Sequence, residues 1–368
     1  ANSDGANILY GSAKEESDLW SVNLKDGRES IVASDIASEL WTSVAPDGKT
    51  IAYQSIKNLS QGNKLFSGQI LTKKLNSNEA PMPIVAEGGL PVWSPDGQKI
   101  AFMHLAGGTK YQISTVNPAT GGQKQIAADD VEPITNSILP YNRVQTSDFS
   151  WSPDSSRIAY LSSKSGQFNI WLVSPDGSDN RQLSSSSDSK LYLSCPLWAA
   201  DGRRIAFTSR TGTGKAVYGV WVIDAESKNF KQLTERNSFL RLIGWTPNGK
   251  ELILASVAGG ASGQQTEVSL LRLNVESGQL QPLAALKAAY LYNIHLAPDG
   301  KTIAFAAHRE GRDDIWLISA AGGEEKKLTN NNDSRLYFSS LAWSPDGNSI
   351  FFGKQSRYSL LSMLTNFK

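Results

Sequence analysis

The chain has 368 residues, a formal net charge of +1 at pH 7 and an apolar fraction of 40%. Lys and Arg are scattered among matching acids, and neither a basic helix nor a zinc spacing occurs, which excludes nucleic acid as the expected partner. One cysteine, Cys195, excludes an internal disulfide, and the absence of a long apolar run or a signal peptide argues against membrane insertion.

The first residues, Ser3-Asp4-Gly5 followed by Ile8-Leu9-Tyr10, read as a turn and a short apolar strand. This pattern then returns along the whole chain. Its fullest copy is Trp93 to Phe102, W-S-P-D-G-Q-K-I-A-F. Pro95 fixes φ, Asp96 offers a side-chain acceptor, Gly97 tolerates φ > 0, and Ile100 starts a second strand. The turn acid, or its amide equivalent, falls at Asp47, Asp96, Asp154, Asp201, Asn248, Asp299 and Asp346, and at Asp4 in the truncated first copy. The steps are 43, 49, 58, 47, 47, 51 and 47 residues. A third strand follows in most units, as Asp18-Leu19-Trp20, Asn169-Ile170-Trp171 or Asp314-Ile315-Trp316, and a short fourth ends in Leu183, Leu233-Thr234 or Leu328-Thr329. The alternation has period two, and no segment sustains a helical period.

Periods of 40–50 residues with four strands each are the mark of propeller blades. The expectation is therefore an all-β fold, a β-propeller of four-stranded blades forming one domain over 1–368. A repeat array escapes the usual division of a chain this long, because each unit contacts only its neighbours. Hairpins formed by the second and third strands number eight and complete inner strands seven. The hairpin count favours eight blades, and seven result if the N-terminal unit only closes the ring. Three segments interrupt the repeat: Lys57 to Ser67, the long Ala127 to Asp148, and the Gly-rich Gly259 to Gly263. Insertions of this kind map to loops, often on the binding face. The chain begins inside a repeat, as expected of a processed product or a domain cut from something longer.

These motifs, W-S-P-D-G-x-x-I-A-F, then D/N-I-W-L-V/I and x-x-L-T, resemble the WD-like repeat of TolB-type β-propellers. The same repeat occurs in the propellers of prolyl-oligopeptidase-type enzymes and in the C-terminal domains of CadC-like winged-helix membrane regulators. The ending Leu360 to Lys368 is similar to the C-termini of such regulators' propellers. The resemblance implies a periplasmic or extracytoplasmic domain. It speaks to fold far more than to function.

Catalytic signatures are scarce. No G-x-S-x-G elbow or phosphate-binding glycine pattern is present. His104, His295 and His308 do not share a register in the repeat, so they compose no metal set by sequence, and no cofactor is expected. Asn330 to Asp333 lacks the spacing of a calcium loop and reads as a polar turn. The repeated turn acids read as turn caps, and the Trp residues at 93, 151, 198, 245 and 343 as packing between blades. Cys195 reads as a buried, inert thiol.

One position stands out. Six residues before the inner-strand anchor, the later units carry Tyr192, Phe239, Tyr290 and Tyr337, with Arg236, Arg241 and Arg335 close by. Tyr141 and Arg143 of the long insert could join them. Tyr and Arg are enriched at binding hot spots, although the same aromatics could simply pack between blades. The expectation is a monomeric, non-catalytic binding or sensory module that takes a protein or peptide at one mouth of the propeller. The alternative is a propeller enzyme, a lyase, lactonase or glycan-active protein with an axial pocket.

Overall fold

A computed structural model describes the chain except for residues 1–6, 35–36, 58–67, 107–109, 132–148, 186–191, 212–216, 237–238, 258–265, 289 and 366–368. Most of the three interrupting segments, with Tyr141 and Arg143, therefore lies outside the described residues, as does the side chain of Cys195.

All regular structure among the described residues is β. The strands are β1 (Asn7–Asn23), β2 (Glu29–Ala33), β3 (Ser38–Val44), β4 (Thr50–Ile56), β5 (Gly68–Lys74), β6 (Met82–Trp93), β7 (Ile100–Ala106), β8 (Lys110–Val116) and β9 (Gln123–Val131). There follow β10 (Phe149–Trp151), β11 (Ile158–Ser162), β12 (Asn169–Val173), β13 (Asn180–Gln182), β14 (Tyr192–Trp198), β15 (Arg204–Thr211), β16 (Val217–Asp224) and β17 (Phe230–Arg236). The last are β18 (Phe239–Trp245), β19 (Glu251–Val257), β20 (Thr266–Asn274), β21 (Leu280–Ala288), β22 (Tyr290–Leu296), β23 (Thr302–Arg309), β24 (Arg312–Ser319), β25 (Lys326–Lys327), β26 (Leu336–Trp343) and β27 (Ser349–Thr365).

Antiparallel pairing sorts them into four-stranded sheets that follow the sequence repeat. These are β3 to β6, β6 to β9, β10 to β13, β14 to β17, β18 to β21 and β22 to β25, with β6 serving as the outer strand of one sheet and the inner strand of the next. The remaining sheet is built from both ends of the chain, in the order β26-β27-β1-β2. Here the sequence reading needs correction. Ile8 to Tyr10 and Asp18 to Val22 belong to one continuous strand, and so do Ile350 to Phe352 and Ser359 to Leu364. The two terminal hairpins are opened out and pair with each other, from Asn23↔Ser349 to Asn7↔Thr365. That pairing satisfies two edges at once.

The repeated motifs have local physical causes. In each complete copy the turn side chain accepts the backbone N–H two residues on: Asp47 from Lys49, Asp96 from Gln98, Asp154 from Ser156, Asp201 from Arg203, Asn248 from Lys250, Asp299 from Lys301 and Asp346 from Asn348, all at 2.8–3.0 Å. The hydroxyl two residues before the turn acid locks the same turn. Ser94, Ser152 and Ser344 donate to their acids at 2.5–2.6 Å and accept the N–H that opens the next strand. The D/N-I-W and L-T motifs are joined too. Thr329 Oγ1 donates to Asp314 and accepts from the Ile315 N–H, and Ser184 does the same for Asn169 and Ile170. These residues are framework, and the turn acids are caps as predicted.

The Trp register also behaves as predicted. Trp93, Trp151, Trp198 and Trp245 are buried between successive sheets. The indole N–H groups of Trp151, Trp245 and Trp343 donate to the carbonyls of Val92, Leu197 and His295 on the preceding inner strand. Inner strands β3, β6, β14, β18, β22 and β26 each carry a register shift, which bends the strand.

Candidate functional site

The site candidate sits where the β22–β25 sheet meets β26. Glu310 and Gly311 take positive φ, 51° and 77°, and make a two-residue turn between β23 and β24. Such turns match the twist of antiparallel strands. They place His308 directly across from Asp313. The His308 Nδ1 lies 2.6 Å from Asp313 Oδ1, and the other carboxylate oxygen accepts the backbone N–H of Phe338 on β26 at 2.9 Å. Asp313 has no exposed surface. A buried carboxylate needs such partners to stay ionised.

The imidazole of His308 stacks on Tyr337, with 6.5 Å between centroids and 16° between planes. Burial pushes its pKa below the usual histidine value, while the carboxylate beside it fixes Nδ1 as the protonated nitrogen. A neutral imidazole oriented by a buried Asp has the form of a general base or of a hydrogen-bonding group held for a ligand.

The crossing into β26 is stiffened by its own network. The Asn331 amide donates to the Asp313 carbonyl, its N–H donates to Asp314, and Asp333 accepts from Arg335 through backbone and guanidinium at 2.8–2.9 Å. Asp333 is held down to a pKa of about 2 by those Arg335 bonds. The polar run Asn330 to Asp333 is a built turn, as its spacing suggests.

The other predicted binding residues with described side chains differ in their surroundings. Tyr192 packs on Phe168 and is 42% exposed, whereas Phe239 packs edge-on against Tyr218 of the preceding sheet. Arg241 is buried on β18, where its charge helps to hold His295 neutral. Tyr290 and Arg236 lie at the ends of β22 and β17, but their side chains are outside the described residues. Each described aromatic of this set meets a ring from the preceding unit: Tyr192 on Phe168, Phe239 on Tyr218 and Tyr337 on His308. Tyr337 is the one that also touches a titratable pair.

The histidines remain dispersed in role. His104 Nε2 lies 3.0 Å from Ser114 Oγ, and His295 is buried with its pKa pushed down to about 3, first by desolvation and then by Arg241. Among the described residues no group of three or more His, Cys, Asp or Glu side chains could hold a metal. Sequence reasoning missed Asp313. Its one signal was the doubled acid before Ile315, where the Asp18 and Asn169 units carry a single D or N in that motif.

No family model matches the chain. It is 25% identical over 231 residues to the uncharacterized peptidase YuxL of Bacillus subtilis, covering 61% of this chain and 30% of that protein. It is 27% identical over 130 residues to the Tol-Pal system protein TolB of Anaeromyxobacter dehalogenans, covering 34% of this chain and 28% of that one. The chain thus spans less than a third of either relative. Among solved structures, an oligogalacturonate lyase in complex with manganese matches with a TM-score of 0.64 at 10% identity over 95% of this chain and 97% of that one. The β-propeller domain of the trilobed protease of Pyrococcus furiosus matches with a TM-score of 0.57 at 13% identity over 91% and 96%. A structure assigned to TolB of Agrobacterium tumefaciens matches with a TM-score of 0.51 at 16% identity over 94% and 100%.

The fold is a TolB-like β-propeller. The non-catalytic reading does not survive these relatives. A sequence relative is named a peptidase, and propellers of the same fold belong to a protease and a lyase. The sequence pattern offers no complete triad or metal set, but an enzyme's propeller need carry neither. None of the proteins named here is a CadC-like regulator.

Proposed function

We propose that the chain is the β-propeller of an enzyme that acts on peptides, with its seven sheets closed into a ring by the pairing of β1 with β27. The match to a named peptidase over 231 residues carries this reading. The face with His308, Tyr337 and Arg335 is the part turned toward substrate, because there an oriented imidazole, an aromatic ring and a guanidinium lie on adjoining elements. The nine predicted binding residues narrow in this reading to Tyr337 and Arg335. An extracytoplasmic setting belongs to the same proposal, on the similarity to TolB. No helix among the described residues is long and apolar enough to cross a membrane.

A second reading, a lyase complete in its propeller, is favoured by the match over 97% of the lyase chain. That structure holds manganese, and the described residues here offer no comparable ligand group. The test is turnover by the intact protein. Hydrolysis of fluorogenic peptides supports the first reading. Appearance of unsaturated uronate from oligogalacturonides with manganese replaces it with the second. No turnover of either class overturns both.

A further inference from the structure

A groove of about 580 Å³ runs between the crossing into β26 and the β2–β27 side of the closing sheet. Its walls include Glu29, Asn330, Asn332, Ser334, Arg335 and Lys354. This volume lies within the range of ligand pockets. Two properties of the walls restrict what can bind.

The first is charge. Lys354, mostly buried, is ion-paired with Glu29, and Arg335 is held by both carboxylate oxygens of Asp333. Each charge on the walls is matched within the protein, so an anionic ligand would have to displace an existing partner. The second is the lack of an aromatic platform. The indole of Trp20 is covered by the Lys354 ammonium, 3.9 Å from the ring centroid, and among the described residues no aromatic lines the groove. A sugar ring has nothing flat to stack on. What the groove does offer is amide donors and acceptors at Asn330 and Asn332, both exposed, on a loop fixed by the Asn331 and Asp333 bonds. Carboxamides complement peptide N–H and C=O groups, and a fixed loop loses little entropy on binding.

From this we infer that the groove holds the main chain of an uncharged, extended peptide segment. The inference rests on the peptide-directed reading above and names the part of the substrate that this face recognises. Leu336 lines the groove, while Tyr337, the next residue of β26, points to the other face of the strand and meets His308.

The experiment compares the intact wild-type protein with Asn330→Ala/Asn332→Ala. The probe is a fluorescently labelled, capped peptide of Ala, Ser and Leu, followed by anisotropy and, where it is hydrolysed, by KM and kcat. Both asparagines are exposed, so thermal melting should show an unchanged fold. The expected result is binding that varies little with salt, weakened about tenfold in the double variant, with KM raised and kcat unchanged. Equal binding by both proteins overturns the groove assignment, even if peptides are hydrolysed and the functional reading stands. Competition by oligogalacturonide at low concentration also overturns it, because the occupant would then be a polyanion. Groove-dependent binding without any hydrolysis supports the groove and removes the peptidase reading.

Discussion

The β14–β17 and β22–β25 sheets occupy the same place in the repeat, yet each joins its next neighbour in a different way. In the first, Tyr218 meets Phe239 edge-on, 5.4 Å between centroids, and the joint is apolar. In the second, a buried carboxylate reaches across to the Phe338 N–H and orients a histidine. The difference extends to the D/N-I-W motif. Asp314 bonds Thr329, but Gly219, with no side chain to accept a bond, stands at the same place in the earlier sheet, where Thr234 pairs with Val220. Residues that repeat hold the wheel together. The departures from the repeat are where an oriented, titratable group is found.

The largest effect should come from breaking the polar joint. Asp313→Ala strands a backbone donor and an imidazole inside the protein, and should cost about 3 kcal/mol in urea unfolding. Tyr218→Leu, which trims the apolar joint without leaving a polar group unpaired, should cost only about 1 kcal/mol. Equal losses would erase the distinction between the joints.

Acid should separate two sets of groups. His295 has a pKa of about 3 in the fold against 6.5 as the ordinary value. The unfolded chain binds its proton more readily, so stability falls as pH drops from about 6.5 toward 3. His308 acts in the same direction. Asp224 is held at about 2, chiefly by the Ser227 N–H, against an ordinary 3.8, so its contribution is lost only as pH falls from about 3.8 through 2. A His295→Gln variant should flatten the first limb and leave the second. A melting curve whose upper limb is as steep in this variant as in the wild type would refute the assignment.

Smaller effects test the motif bonds. Thr329→Ala removes the acceptor for Ile315 N–H and the donor to Asp314, with an expected loss of roughly 1–2 kcal/mol. Thr234→Ala, in the sheet where Gly219 replaces the acid, should lose less than half of that. Smallest is a gain: Glu310 adopts φ of 51°, and Glu310→Asn should stabilise by about 0.5 kcal/mol, read as a rise in melting temperature.

What could be read in the sequence follows the same division. The W-S-P-D-G turn is encoded by contacts two to five residues apart, so every turn cap and the Trp packing were visible. The D/N-I-W to L-T bond spans 15 residues within one unit, and its two halves were visible as motifs although the bond joining them was not. The joining of β1 to β27 connects opposite ends of the chain, and no local signal tells a strand that continues past Tyr10 from a hairpin that turns back. His308 and Asp313 are five residues apart, close enough to have been seen as a pair. Their importance comes from Phe338, 25 residues beyond Asp313 and on the next sheet, which no periodicity within one unit could supply. Arg241 shows the opposite failure: its sequence address matched the predicted patch, but it points into a buried environment beside His295.

The most direct measurement is photocrosslinking of the intact protein with a neutral peptide that carries a benzophenone, followed by digestion and mass spectrometry. The account predicts crosslinks within Asn330 to Tyr337, reduced when Asn330 and Asn332 are replaced by Ala. Crosslinks concentrated at Tyr192 or Phe239, with none on the β25-to-β26 crossing, would contradict it.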